Sequence, residues 1–245
     1  MTKTFPLEEI KTIKINLYAQ LIIDQSLKES ITITTDENLF DFIQKEVKNG
    51  TLNIDQIKWI EPSTKTKILI GAPNLRKIES GTHDITKIIN IDNDYLQILA
   101  PVGHIILIGK TKELRAASEL AVINASDLIA QNARINIWGS GKVSVNVTDT
   151  LDSKLGDDAR LIVLNQPKKL KGDSKKTISE TMQNVKTVRY IHFKIKNNSQ
   201  HRNDFFVEGP KPDGSYFGYG FPMMPQTKRK EYWTTGTKIY KVNKF

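Results

Sequence analysis

From Asn74 onward the sequence returns to itself about every twenty residues. Leu75, Leu96, Leu114 and Leu151 each follow a polar residue or a tyrosine and open a short apolar stretch. Ala133 stands near the step that leucine skips. The spacings are 21, 18 and 37 residues, the last close to two steps. Ile85, Ile105, Val122, Val143 and Leu161 form a second series of landmarks, reached after glycine, serine or asparagine at spacings of 20, 17, 21 and 18. Short β-branched stretches at this period are the signature of a parallel β-solenoid, in which one repeat is one coil. Coils stack about 4.8 Å apart, so equivalent inward residues form apolar columns. These five residues are expected to lie buried in one such ladder. The small residues of SGTHDI (80–85), PVGHI (101–105), ASELAV (117–122) and GSGKV (139–143) let the backbone turn the corners between stretches.

Before the repeat, the chain alternates with the period of two that marks half-buried strands. Ile13, Ile15 and Leu17 are followed by Leu21 and Ile23, then by Ile31 and Ile33. One helix is predicted, over DENLFDFIQKEVKNG at 36–50. Its apolar stripe is Leu39, Phe40, Ile43 and Val47, with Thr35 or Asp36 as cap and Gly50 as terminator. Strands resume at 52–54 and 67–70.

Composition sets the broad class. With 38% hydrophobic residues and a mean hydropathy of -0.39, the 245-residue chain is neither disordered nor membrane-spanning. No apolar run approaches the roughly 20 residues of a bilayer-crossing helix. The start, MTKTFPLEEIKTIKI, has no apolar segment of the signal-peptide kind. Absence of cysteine excludes disulfides, thiolate metal sites and cysteine nucleophiles. The net charge of +9 is concentrated at one end. Residues 181–245 carry 12 Lys/Arg against 4 Asp/Glu, whereas the preceding 180 carry 24 against 23. Twelve of the 19 aromatic residues also follow Glu180. Two such compositions predict two domains, 1–176 and 181–245, joined by the lysine-rich QPKKLKGDSKKTISE at 166–180 as linker or solenoid cap. Beyond it, short strands at 188–197, 204–209, 214–221, 231–235 and 237–242, separated by KNNS, KPDG and PMMP, fit a small antiparallel sandwich.

The stretches KTIKINLYAQLIID (11–24), NGTLNID (49–55), APNLRKIESGTHDI (72–85) and the GSGKV corner give residues 5–169 a specific likeness. That region resembles the head GIN domain family of bacterial auto-transporter adhesins. The resemblance implies an all-β fold with a right-handed parallel β-helix, no enzymatic activity, and a place at or outside the bacterial envelope. IHFKIKNNS and GTKIYKV in the C-terminal part resemble the immunoglobulin-like appendage of some surface proteins of this kind.

Motifs for chemistry are sparse. WGSGKV fails as a phosphate loop because Asn136 stands where the first glycine is needed and Val143 where Ser/Thr should follow the lysine. His83 and His104 each lie eight residues after a landmark leucine, which would put them on neighbouring coils. Two histidines, even with Asp84, fall short of the three or four ligands zinc requires, so a stacked polar corner is the favoured reading and no metal or cofactor is expected. Asp157 and Asp158 are the one pair of adjacent aspartates and read as turn residues.

The basic, aromatic C-terminal domain holds the candidate ligand-binding residues: Tyr216, Phe217, Trp233, Lys228, Arg229 and Lys230. Alternation should bury about half of its aromatics as core. Lysines spread over several strands suggest a solvated face more than a nucleic-acid groove, so a glycan or surface protein is the expected partner and nucleic acid is not. The expected function is that of a non-enzymatic cell-surface or periplasmic adhesin. The alternatives are a β-helix enzyme acting on acidic polysaccharide and a purely structural envelope module.

Overall fold

The computed structural model describes residues 1–175, 190–211 and 216–242, and the backbone alone of Phe193, Tyr216 and Val242. The chain divides into two compact units, Met1–Ile178 and Ser179–Phe245. In the first the strands are β1 (Thr2–Pro6), β2 (Thr12–Ile15), β3 (Gln20–Asp24), β4 (Ser30–Thr34), β5 (Ile43–Gln44), β6 (Val47–Lys48), β7 (Thr51–Gln56) and β8 (Lys67–Gly71). There follow β9 (Lys77–Ser80), β10 (Ile85–Ala100), β11 (His104–Ser118), β12 (Val122–Ile137), β13 (Lys142–Leu155), β14 (Arg160–Val163) and β15 (Lys169–Gly172). Together they wind a β-solenoid of about five turns.

Each long strand from β10 to β13 is a coil in itself, bent where its pairing with the next coil shifts register. At the bend of β10, Asn90 has φ 55; at that of β11, Gly109 has φ 135. The first limbs stack in parallel with β3 before them and β14 after them, and the second limbs with β9 before and β15 after. Two faces thus enclose the core. Leu96, Leu114, Ala133 and Leu151 pair in one buried column, as their spacing predicts. Ile13, Ile78, Ile98, Ala116 and Ile135 make another. Because every strand is extended, the residues between these point outward, giving the alternation of buried and exposed positions.

The second ladder is one residue out of phase at two of its five members. Ile105, Val143 and Leu161 are buried, but Ile85 is 48% exposed and Val122 37% exposed. The column is Leu21, Thr86, Ile105, Ile123, Val143 and Leu161. A one-residue slip exchanges the two faces of a strand, and Ile88, on the same side as Thr86, fixes which face goes in.

The predicted helix over 36–50 is replaced by a 3₁₀ turn, Glu37–Phe42, followed by β5 and β6. Leu39, Phe40 and Ile43 are still buried. Asp36 does not cap through its side chain; its carboxylate accepts the backbone N–H and hydroxyl of Ser63, both at 2.6 Å. Asn49 and Gly50 have φ 51 and 70, the two left-handed residues of a tight hairpin turn that joins β6 to β7. The Asn-Gly turn and the pairing it sets therefore override the helical spacing.

Antiparallel strands close the N-terminal end, β1 on β4 and β4 on β8, before parallel stacking begins with β8 on β3. The edge strand β1 ends in Pro6, and threonine pairs across β1 and β4 (Thr2–Thr34 and Thr4–Thr32, 2.9 Å each) line its outer side. At the other end, the first part of the lysine-rich segment is built into the solenoid. β15 pairs with β13 and Ser174 is buried, so residues 169–174 form part of the last coil and not a free linker. The rest of the expected joint, 176–180, lies outside the described residues.

The second unit contains β16 (Tyr190–Lys196), β17 (Asn203–Pro210), β18 (Tyr216–Met223), β19 (Lys228–Thr234) and β20 (Lys238–Val242). They form two antiparallel sheets, β16–β19 and β18–β17–β20. Val207, Phe221, Met223 and Trp233 make the core between them, with Ile195, Phe205, Phe217 and Tyr219 packed around it. This is the small sandwich the strand spacing predicts.

Candidate functional site

Alternation along β16 and β19 decides which side chains reach solvent. Residues two apart share a face, and the register pairs His192 with Tyr232, Lys194 with Lys230 and Lys196 with Lys228. All six are exposed. Tyr190 completes the group, its ring stacked on Tyr232 at 4.7 Å between centroids, while His192 stacks on the other side of Tyr232 at 4.1 Å. The outer face of this two-stranded ribbon is thus an aromatic stack at one end and four lysines in two cross-strand pairs at the other.

Like charges placed directly opposite each other on a sheet repel. Among the described residues none of the four lysines has a carboxylate within ion-pair distance. The acid that lies closest in sequence, Glu231, points to the opposite side. It accepts a hydrogen bond from the Tyr219 hydroxyl at 2.9 Å and an ion pair from Arg229. Trp233 Nε1 donates to the same Tyr219 oxygen at 2.7 Å, and Arg229 lies 4.3 Å over the Phe221 ring. Burial pushes the Tyr219 phenol above its ordinary range; the Trp233 N–H acts against this and the Glu231 carboxylate adds to it.

The six residues predicted to bind a ligand therefore separate. Lys228 and Lys230 stand on the outer ribbon face. Arg229 is exposed but engaged with Glu231 and Phe221. Trp233, 5% exposed, is core, and Phe217 is packed against that core. Tyr216 belongs to β18, and its side chain is outside the described residues. Sequence reasoning missed Tyr190, His192, Lys194 and Lys196 and left Tyr232 among undivided aromatics. The signal was present: YIHFKIK and KRKEY both place these residues at steps of two. Their pairing across the ribbon was not readable without the register.

The solenoid offers no comparable charged array. Its outward rows carry compensated ion pairs between neighbouring coils, Lys110–Asp92 at 3.2 Å and Lys112–Asp94 at 2.8 Å. The hydrogen bond from Lys112 holds the Asp94 carboxyl below the usual carboxylate range. His83 and His104 do not face each other: His104 pairs with Ile85 on one side and Val122 on the other. Asp84 instead forms an ion pair with Lys65. Among the described residues no group of three or more His, Asp or Glu side chains is placed to hold a metal. Asp157 and Asp158 occupy the turn between β13 and β14, which Ala159 N–H closes on the Gly156 carbonyl at 3.1 Å.

Solved structures are similar to part of this chain. One described as a "putative adhesin" from Bacteroides fragilis is 18% identical, with a TM-score of 0.50, over 70% of this chain and 95% of its own. One described as a "putative lipid binding protein" from Parabacteroides distasonis is 20% identical, with a TM-score of 0.36, over 70% and 96%. A "putative adhesin" from Parabacteroides merdae is 15% identical, with a TM-score of 0.42, over 70% and 95%. The first of these supports the fold alone. Among curated proteins, none matches the sequence. The family described as "putative auto-transporter adhesin, head GIN domain" matches residues 10–101 and 98–167, more than half of the chain and nearly the whole solenoid. This chain belongs to that head GIN domain family.

Proposed function

We propose that this protein is a non-enzymatic adhesin of the bacterial cell surface or envelope, and that its sandwich engages an acidic glycan. Family membership supports the surface role. The observation that carries the ligand class is the outer face of β16 and β19, where Lys194, Lys196, Lys228 and Lys230 lie in facing pairs beside the exposed Tyr190–Tyr232–His192 stack. Such a face is destabilised by its own charge and relieved by a polyanion. The aromatic end supplies a flat apolar surface where one sugar unit of the chain can rest. The solenoid then serves as the stiff body that carries the sandwich's binding face.

Retention of the full chain on immobilised heparin tests this. Electrostatic capture should weaken as the Debye length falls from about 10 Å at 0.1 M salt to about 3 Å at 1 M. Replacing the four lysines with glutamine should move elution to much lower salt, and Tyr232→Ala should lower it further at constant charge. Competition by single-stranded DNA as effective as that by free heparin, with no effect of Tyr232→Ala, would mean that the face responds to charge alone and has no glycan preference.

A further inference from the structure

The connection between β7 and β8, residues 57–66, holds its apolar residues in opposite ways. Ile60 is buried and ties the loop down, its N–H bonded to Gln56 Oε1 at 3.4 Å. Trp59, beside it, is 68% exposed, and Tyr18, from the turn between β2 and β3, is 52% exposed. With Gln56, Lys65 and Asp84, the two rings line an open groove of about 290 Å³ whose floor is Leu17 and Ile60. Exposing a tryptophan forfeits the largest apolar burial that any side chain offers, so an unburied indole held in a fixed place calls for an occupant. This one is held. Its Nε1 donates to Glu61 Oε1 at 3.0 Å, which spends the polar edge of the ring and leaves the face free.

We infer that this groove is a second ligand site, independent of the sandwich face, and that it takes one uncharged hexopyranose unit of a glycan. Three observations define the ligand. The volume sits at the lower end of the range of small-molecule pockets, about 300–1,000 Å³, which suits a single sugar ring better than a longer molecule. The two charged groups that line the groove neutralise each other, since Lys65 is paired with Asp84, so the lining offers no net charge to an ion. Both members of that pair nonetheless keep hydrogen-bonding capacity, the ammonium as donor and the carboxylate as acceptor, and Gln56 adds an amide. An aromatic face attracts the weakly positive C–H edge of a ligand, and polar groups around it satisfy hydroxyls. A pyranose presents both surfaces at once: axial C–H groups on one side and hydroxyls around the rim.

The test is binding of the full chain to immobilised neutral oligosaccharides, a panel of hexose and N-acetylhexosamine homopolymers, in 1 M NaCl. Retention of at least one of them, lost at least tenfold in Trp59→Ala and partly kept in Trp59→Phe, is the expected result. Asp84→Asn should weaken it with little change in melting temperature, because the pair is partly exposed. The variant with glutamine at the four ribbon lysines should bind the neutral panel as the parent does, which separates this site from the acidic-glycan face. Three results would each overturn the inference: no retention on any neutral sugar, retention that Trp59→Ala leaves unchanged, or retention on phosphatidylcholine vesicles in place of the sugars.

Discussion

Thr86 is the polar member of the column Leu21, Thr86, Ile105, Ile123, Val143 and Leu161. It is 1% exposed, and its hydroxyl finds no hydrogen-bond partner among the described residues. A buried hydroxyl without a partner costs about 1–3 kcal/mol. Valine has nearly the same shape, so Thr86→Val is expected to stabilise the solenoid by about 1 kcal/mol, a rise of roughly 2–4 °C in melting temperature for a unit of this size. Ile105→Asp, one coil further on, should do the reverse and abolish the cooperative melt, because it sets an unpaired carboxylate among aliphatic neighbours. Far-UV circular dichroism against temperature reads both; equal melting of Thr86→Val and parent would mean that the hydroxyl is satisfied in solution. The same residue explains where the sequence stops being legible. The twenty-residue period could be read directly, but DITKII offers a β-branched residue in either phase. The more hydrophobic Ile85 points outward while Thr86 points in. The phase is set by neighbours on other coils, which a single sequence does not align.

Within elements, backbone conformation outweighed hydrophobic spacing. The stripe Leu39, Phe40, Ile43 satisfied a helical template, yet Asn49-Gly50 fixed a hairpin and drew Ile43–Gln44 and Val47–Lys48 into pairing with β7. The Asn-Gly pair suits the end of a helix as well as a hairpin turn, so the sequence alone does not separate the two. At the bend of β11 the demand on the backbone is stronger. Gly109 has φ 135, and a β-carbon there would lie 2.2 Å from the Ile91 carbonyl oxygen of the coil below. Gly109→Ala is therefore expected to destabilise the solenoid by roughly 2 kcal/mol or more, through both strain and contact. Chemical denaturation checks it, and a loss below half of that figure would show that the bend can relax. On the ribbon of β16 and β19, period-two reading alone would have separated Lys228 and Lys230 from Arg229 and Trp233. Seeing four lysines meet required the pairing of two segments more than thirty residues apart.

At the scale of the whole molecule, the uneven charge and aromatic content corresponds to two units with different means of stability. The solenoid rests on aliphatic columns repeated coil after coil, and from β10 to β13 each coil pairs with the next in sequence. Among the described residues the sandwich rests on a small cluster of Val207, Phe221, Met223 and Trp233. Stacking also dictates how the solenoid yields to mechanical tension, the condition that the proposed adhesive role would impose. The hydrogen bonds between coils run along the stacking axis, so a pull on the two ends of the solenoid loads every rung, but the chain leaves the stack at the outermost rungs and their bonds open first, one after another. From Thr86 to Leu161 the rungs recur every 18–20 residues, and each freed coil would lengthen the chain by roughly 60–70 Å at 3.3–3.6 Å per residue. A single-molecule force trace should therefore show a staircase of steps near that size at modest force, with rungs re-forming when the load relaxes; one abrupt extension of the whole solenoid would rule out peeling. In the proposed adhesive role, rungs that peel in turn would make the body a reel, paying out tether under shear and winding it back when the flow subsides.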